Sequence, residues 1–201
     1  MGANLHVLFG ASLLLVTSLT CHVSSAAEAV GSTSSLRPLA QQTLPRAAAT
    51  VLSLNSAIYQ NAELRTAPQG ALEVTFLDKS KLSMGPSSSL VVDQYVYAGP
   101  GGAGTQVVKY TKGAFRFISG NIQKDKVRIE TPTVTIGIRG TTIRTLVTDE
   151  GTTTVGLDHG EAFVTSKQTG QTVFLTPGEK VTIKSNGEMG PVTLGKVEGC
   201  P

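Results

Sequence analysis

Carboxylates are the residues of this chain best suited to catalysis, and they occur in two close groups. Asp149 and Glu150 stand directly before Gly151, while Asp158 and Glu161 flank a His-Gly pair. Hydrolysis by a carboxyl pair, as in glycosidases, requires two groups that face each other across a cleft. Acidic residues beside glycine are more typical of turns. We therefore predict that both groups lie at turns and that neither is catalytic.

Histidine and cysteine, which enzymes and metal sites also use, are scarce. Of three histidines and two cysteines, only His159 and Cys200 lie beyond the first 27 residues. Nucleophilic catalysis needs a nucleophile, a base and an orienting group, and zinc sites usually take several ligands from these two residue types. His159 is predicted to be a turn residue, with a pH sensor as the alternative, and Cys200 an exposed tail residue. The sequence thus predicts a protein that is not an enzyme and uses no metal or cofactor.

Binding of nucleotides or nucleic acids is not expected either. The glycine-rich segment 99–104, GPGGAG, is followed neither by Lys-Ser or Lys-Thr nor by a helix, as a phosphate-binding loop would be. Charged residues make up 15% of the chain and aromatic residues 5%, with no tryptophan and a net charge of +3. A nucleic-acid binder needs clustered cations and stacking rings. We predict a flexible connection at residues 99–104 and no nucleic-acid partner.

One basic stretch is a candidate contact for an anionic polymer, such as lipopolysaccharide or cell-wall material. Lys124, Lys126 and Arg128 lie close together at the end of a mildly positive segment with few acidic residues. The alternative is the ordinary solvated face of an outer strand.

The segment TPTVTIGIRGTT, residues 131–142, is the most informative part of the chain. Three of its apolar residues point to one face, as the period of two of a strand requires: Val134, Ile136 and Ile138. Gly137 and Gly140 then enclose a single cation, Arg139. Glycine is favoured where the backbone takes a positive φ or approaches another segment closely. This pattern predicts a buried strand that ends by holding Arg139 in place.

Arg139 has two possible roles. The structural one is an ion pair with Asp158 or Glu161, or hydrogen bonds to turn carbonyls. The functional one is a bidentate contact with a ligand or with a carboxylate of a partner. Breaking a buried ion pair costs about 3–5 kcal/mol. We adopt the structural role and expect Arg139→Ala to lower the melting temperature markedly.

The remaining pattern is that of an all-β protein. Short segments rich in β-branched and apolar residues alternate with turn residues, and no amphipathic helix of ten residues is visible. The predicted strands are 72–76, 82–84, 90–96, 107–110, 114–118, 126–130, 134–138, 143–148, 152–157, 162–166, 172–175 and 180–184, with a strand or short helix in 51–60. Turn glycines recur about every 20 residues, at Gly120, Gly140, Gly160 and Gly178. We predict one elongated β-solenoid-like domain, with a β-sandwich as the alternative.

The chain divides into four predicted segments. Residues 1–27 have the apolar run and the small residues before a cleavage site that are typical of a signal peptide; an uncleaved anchor or a buried helix is the alternative. Residues 28–54 are predicted to be a flexible linker. Residues 55–185 form the β domain and residues 186–201 a C-terminal tail. We therefore expect a periplasmic or secreted protein after cleavage, with no membrane-spanning helix in the mature chain.

The combined motifs resemble the FecR domain family, whose hallmark is a TP…GhRGT core followed by two strand pairs. The matching segments are 131–132, 137–141, 158–161 and 176–179, preceded by 112–120 and 72–93, and the resemblance covers roughly residues 55–185. The resemblance implies an elongated all-β domain outside the cytosol. It marks as motif residues Thr131, Pro132, Gly137, Arg139, Gly140, Thr141, Gly160, Glu161 and Gly178.

The named members of that family relay a signal from an outer-membrane receptor to a cytoplasmic sigma factor in iron uptake. This chain is expected to lack their cytoplasmic anti-sigma segment and their membrane helix, so direct control of a sigma factor is not predicted. The function that we predict is a non-catalytic protein-interaction module of the envelope, whose partner is an outer-membrane receptor or another β domain. The alternatives are a cell-wall or polysaccharide binder and a component of iron-uptake-type transmembrane signalling.

Overall fold

The computed structural model describes residues 2, 28–37 and 39–201, so the predicted signal peptide lies, apart from Gly2, outside the described residues. The described chain is all-β, with a single 3-10 turn at Lys124–Lys126. The strands are β1 (Ala29–Arg37), β2 (Ala40–Thr43), β3 (Thr50–Val51), β4 (Ala57–Tyr59), β5 (Glu63–Thr66), β6 (Ala71–Phe76), β7 (Lys81–Met84), β8 (Ser89–Tyr97), β9 (Gly104–Ile118), β10 (Val127–Glu130), β11 (Val134–Val147), β12 (Thr153–Ser166), β13 (Thr172–Leu175), β14 (Glu179–Ile183) and β15 (Thr193–Leu194).

All of these strands belong to one open mixed sheet. Its main path runs in the order β15-β14-β12-β11-β10-β9-β7-β6-β1-β4. β13 pairs with β12, and β2, β3 and β5 form a branch that joins β9 through β8. Among the described strands, β9 and β10 pair in parallel and the other pairs are antiparallel. The apolar side chains of alternate residues form one continuous core along this sheet.

Two long neighbouring strands, β11 and β12, are bent at the same level. The register between them is interrupted between Arg139 and Thr142. At the same level, the strand that pairs with the other edge of β11 changes, and so does the strand that pairs with the other edge of β12. β11 pairs first with β10 and then with β9, while β12 pairs first with β14 and then with β13. Gly140 and Gly160 lie at this interruption with φ values of 62° and 87°. A β-bulge with a left-handed residue bends a strand without ending its ladder.

The predicted turns at Gly140 and Gly160 were therefore wrong. The segments predicted as separate strands on either side of each glycine join into β11 and β12, and the two predicted segments within 107–118 likewise join into β9. His159 lies within β12 opposite Thr142, and not in a turn. The physical reason is that a positive φ serves a bulge as well as a turn.

The segment assigned to a flexible linker also differs from the prediction, because residues 28–54 contain β1, β2 and β3. β1 pairs with both β6 and β4, and Val30 is buried in the core. The Ser- and Thr-rich sequence of β1 has little apolar alternation. Its strand conformation depends on hydrogen bonds to neighbours that are distant in the sequence, which composition does not reveal.

Residues 186–201, predicted to be a tail, lie against the sheet. β15 pairs with β14, and Val197 is buried. The Cys200 thiol is partly buried and donates a hydrogen bond to Thr145 O at 3.5 Å, and burial raises its pKa. Cys200 is thus a packed residue and not an exposed one.

Two tyrosines are expected to make the stability of the core depend on pH. Burial raises the pKa of Tyr110, whose ring stacks on Phe115 with 4.0 Å between centroids, and burial likewise raises the pKa of Tyr95. A raised folded-state pKa contributes stability that is present below the unfolded value, near 10, and is lost as the pH rises above it. We therefore expect the free energy of unfolding, measured with urea, to fall steadily above about pH 10.

Replacement of Tyr110 by phenylalanine tests this account. Within the described part of the chain its buried hydroxyl has no hydrogen-bond partner. Removing an unpaired buried hydroxyl is expected to raise the free energy of unfolding by about 1 kcal/mol at pH 8. The fall in stability between pH 10 and pH 12 should also become shallower. If the Tyr110→Phe protein is less stable than the wild type at pH 8, the Tyr110 hydroxyl forms a hydrogen bond that stabilises the fold.

Candidate interaction surface

The Thr-Pro part of the motif fastens the beginning of β11. Thr131 Oγ1 accepts hydrogen bonds from the backbone N–H groups of Thr133 at 3.3 Å and Val134 at 3.0 Å. It also lies 3.0 Å from the hydroxyl of Thr153 at the beginning of β12. Pro132 is exposed beside this cluster. These contacts connect two strand ends and engage the hydroxyl of Thr131, which is buried.

The Gly-Thr part of the motif holds the bend. The N–H of Thr141 donates to Ser119 Oγ at 2.8 Å, and its hydroxyl donates to Glu161 O at 3.1 Å. Gly178 donates its N–H to Leu157 O at 2.8 Å, close to the same bend in β12. The described contacts of Thr141 and Gly178 are thus structural, and the outward-facing Arg139 is left as the candidate for recognition.

Arg139 lies on the outer side of β11. Its Nη1 is 3.7 Å from Glu161 Oε2, and the two side chains are 57% and 48% exposed. The expected partner is therefore present, but the expectation of a buried cation is wrong. Ile138 takes the inward position, and the period of two places the next residue outside. The other expected partner, Asp158, is bound instead by Arg144 Nε at 2.7 Å.

This exposure changes the expected effect of Arg139→Ala. An exposed ion pair contributes little, so the free energy of unfolding should fall by less than about 0.5 kcal/mol. Arg144→Ala is the matched comparison, because the Arg144 and Asp158 side chains are only 21% and 27% exposed. Arg144 Nη1 also donates to the carbonyls of Cys200 at 3.2 Å and Pro201 at 3.1 Å. Arg144→Ala should lower the free energy of unfolding by about 1–2 kcal/mol. Urea denaturation measures both variants, and an Arg139→Ala protein less stable than the Arg144→Ala protein would contradict this account.

Across the outer side of the sheet, four strands place one residue each in a single row. Arg128 of β10 is paired with Gly137 of β11, Gly137 with Phe163 of β12, and Phe163 with Phe174 of β13. Directly paired residues have side chains on the same side of a sheet. The phenylalanines are 43% and 44% exposed, with ring centroids 5.1 Å apart. Arg139 and Glu161 form the neighbouring row. We call these five side chains, Arg128, Arg139, Glu161, Phe163 and Phe174, the arginine–phenylalanine face.

The predicted basic stretch is only partly available for an anion. Lys126 Nζ lies 3.5 Å from Asp125 Oδ2. The side chain of Lys124 lies outside the described part of the chain. Arg128 is exposed, and within the described side chains it has no ion-pair partner. Of the two residues whose side chains are described, Arg128 is thus the one that the structure brings together with the motif residue Arg139 on one face.

The two exposed phenylalanines were missed in the sequence. Phe163 lies between Ala162 and Val164, both of which are buried, so the period of two already assigns it to the opposite side. This alternation is the sequence signal for the exposed side chain. The pairing of Phe163 with Phe174 requires, in addition, the register of the hairpin between β12 and β13.

Within residues 28–37 and 39–201, histidine, cysteine and acidic residues form no group of three that could hold a metal ion. Asp149, the first residue of the Asp149-Glu150 pair, forms an ion pair with Lys112, with 2.9 Å between its Oδ1 and Lys112 Nζ. In the described ranges, no helix is both long enough and apolar enough to cross a lipid bilayer.

The motif glycines and threonines therefore shape a bent all-β sheet, and the motif residue Arg139 lies on its outer side. The family model described as FecR protein matches residues 62–163, and this chain belongs to the FecR family.

Solved structures agree with the fold. Two crystal structures of a protein from Parabacteroides distasonis, described as an anti-sigma factor, match with a TM-score of 0.54 and 14% identity. The match covers 66% of this chain and 59% of that protein, so this chain spans less than two thirds of its length. No curated protein matches this chain.

Proposed function

We propose that this protein is a non-catalytic component of transmembrane signalling in the cell envelope, of the type that controls iron uptake, and that it acts by binding another envelope protein. The observation that carries the proposal is the match of the FecR family model to residues 62–163. The fold shared with a protein described as an anti-sigma factor supports it. We therefore propose a signalling pathway as the setting of the general envelope-binding role predicted from the sequence.

The arginine–phenylalanine face supports a role in protein recognition. Aromatic residues and arginine are enriched at the centres of protein interfaces. The face is built on β10 to β13, which hold its side chains on hydrogen-bonded strands. Such a surface presents a fixed pattern to a partner without any chemical step. We propose an outer-membrane receptor or another β domain as that partner.

Location and organisation remain predictions of the same proposal. We propose that residues 1–27 are removed as a signal peptide and that the remaining chain is periplasmic. The solenoid-like arrangement and the sandwich alternative both stay predictions.

Deletion of the gene tests the proposal in cells. If the protein carries an envelope signal, deletion should change the transcription of a small, coherent set of envelope-transport genes, measured by RNA sequencing with and without iron limitation. Expression of the intact protein from a plasmid should restore the normal pattern. Unchanged transcription under both conditions would contradict the signalling role.

Binding of an anionic polysaccharide is the second candidate, because Arg128 is exposed and unpaired among the described residues. It predicts salt-sensitive retention of the protein on peptidoglycan or lipopolysaccharide, which should weaken when Lys124, Lys126 and Arg128 are replaced by glutamine. Retention that is absent at low salt would remove this candidate.

A further inference from the structure

We propose that the arginine–phenylalanine face binds a polypeptide segment that carries an aromatic or large apolar side chain and, about 10 Å away, a carboxylate. This inference rests on the proposed function, because it names the chemistry of the protein partner. The segment lies across β10 to β13, over the row from Phe174 to Arg128, and is not added as a further strand at the edge of the sheet.

The apolar end of the row is an anchor site. Phe163 and Phe174 are both more than two fifths exposed, although most large apolar side chains of the described chain are buried. Their rings are tilted by 52° to each other, with 5.1 Å between centroids. Two such rings on neighbouring strands form an apolar surface that an aromatic or branched side chain covers by edge or face contact. Exposed apolar clusters of this kind mark interaction sites.

The middle of the row is open. Gly137 separates Phe163 from Arg128, and a Cβ atom built on Gly137 would meet no atom within 4 Å. Arg128 and Phe163 stand two strand spacings apart, about 10 Å between Cα atoms. A glycine at this outward position leaves room for the backbone of a bound segment to pass close to the sheet.

The charged end of the row selects an acid. Arg128 has no ion-pair partner among the described side chains. Arg139, in the next row, keeps Glu161 only at 3.7 Å, so its guanidinium is largely free. A guanidinium binds a carboxylate through two parallel hydrogen bonds. Glu161 repels a second carboxylate near the phenylalanines, so the acid of the partner is directed to Arg128.

A polypeptide fits this face better than a glycan does. Sugars carry hydroxyl groups that must keep hydrogen-bond partners when water is excluded. Two hydroxyls in the row next to the phenylalanine pair, those of Thr165 and Thr172, already hydrogen-bond each other at 2.9 Å. The anchor end of the row therefore favours a ligand whose contact there is purely apolar.

Selection from a library of random dodecapeptides displayed on phage tests the inference directly. The intact domain is the target, and the Phe163→Ser/Phe174→Ser double variant is used for counter-selection. Enriched peptides should share an aromatic or large apolar residue together with Asp or Glu. A synthetic peptide of the consensus sequence should bind the wild-type protein and lose at least about 10-fold in affinity to the double variant.

Arg128→Gln provides a second variant that does not change the apolar surface. It should weaken binding of the consensus peptide by roughly 5- to 10-fold, with a reduced salt dependence. Lys184→Gln is the control, since Lys184 is exposed, pairs with Glu188 at 3.0 Å and lies outside the face. Its affinity for the peptide should equal that of the wild type.

Several results would overturn the inference. The first is a selection that yields no enriched sequence, and the second is a set of enriched peptides without Asp or Glu. The third is a consensus peptide that binds the wild type and the phenylalanine double variant equally well, when that variant has the melting temperature of the wild type. Retention on immobilised polygalacturonate that is lost in the double variant would assign the face to glycans instead. A transcriptional effect of gene deletion combined with a failed selection would leave the signalling role standing and reject only this face.

Discussion

Replacing Gly160 with alanine is expected to lower the free energy of unfolding by at least about 3 kcal/mol, or to prevent folding altogether. Gly160 has a φ of 87°, a conformation that alanine rarely adopts. A Cβ atom there would collide with the carbonyl group of Gly140, lying 2.8 Å from its carbon, and would lie 2.9 Å from Arg139 O. These are backbone atoms of β11, so they cannot move away without breaking the ladder between β11 and β12.

Gly137→Ala is the matched control for this prediction, because the same motif supplies it. Its added Cβ would meet nothing within 4 Å, and its φ is not positive. Alanine also restricts the unfolded chain more than glycine does, so stability should be unchanged or slightly higher, within about 0.5 kcal/mol. Circular dichroism during urea titration measures both variants. Equal stability of the two would mean that the bend does not require glycine.

The contrast between these glycines shows what the sequence could determine. Alternation of apolar residues predicted most strands from β6 onward, and the bounds of β13 agree with the prediction. A glycine signal, however, is the same for a turn and for a bulge, since both use a positive φ. Only the hydrogen bonds of the neighbouring strands decide between them. The strands bent at Gly140 and Gly160 were for this reason predicted as separate pieces.

The candidate surface was predictable to a smaller extent. The motif indicated Arg139 with Glu161 as one of its two expected partners, and the basic stretch indicated Arg128, but nothing in the sequence placed Arg128 on the same face. That arrangement follows from the register of β10 with β11, which depends on tertiary contacts. The alternation of the strand shows that Phe163 faces away from its two neighbours, but its exposure follows only if one knows which side of the sheet is covered. The sequence does not show which side is covered, because apolar residues occur on both sides of β12.

Asp78→Ala is expected to have the second large effect, a loss of about 3 kcal/mol or more in the free energy of unfolding. Asp78 is fully buried in the hairpin between β6 and β7. Its Oδ1 accepts hydrogen bonds from Ser80 N at 3.2 Å, Ser80 Oγ at 2.7 Å and the Tyr95 hydroxyl at 3.1 Å. Alanine would leave the Ser80 N–H and the Tyr95 hydroxyl without an acceptor, while Ser80 Oγ would keep only Gln106 Oε1 at 3.4 Å, and each unpaired buried donor costs about 1–3 kcal/mol.

Asp78→Asn separates the hydrogen bonds of this carboxylate from its charge. Asparagine keeps an acceptor oxygen for Ser80 and Tyr95, and it avoids burying an ion. The second carboxylate oxygen, Oδ2, has no partner among the described residues, so its replacement by an amide nitrogen removes no hydrogen bond. The free energy of unfolding, measured with urea, should therefore stay within about 1 kcal/mol of the wild-type value. If asparagine proves as damaging as alanine, the acceptor oxygens of Asp78 do not by themselves account for its contribution to the hairpin.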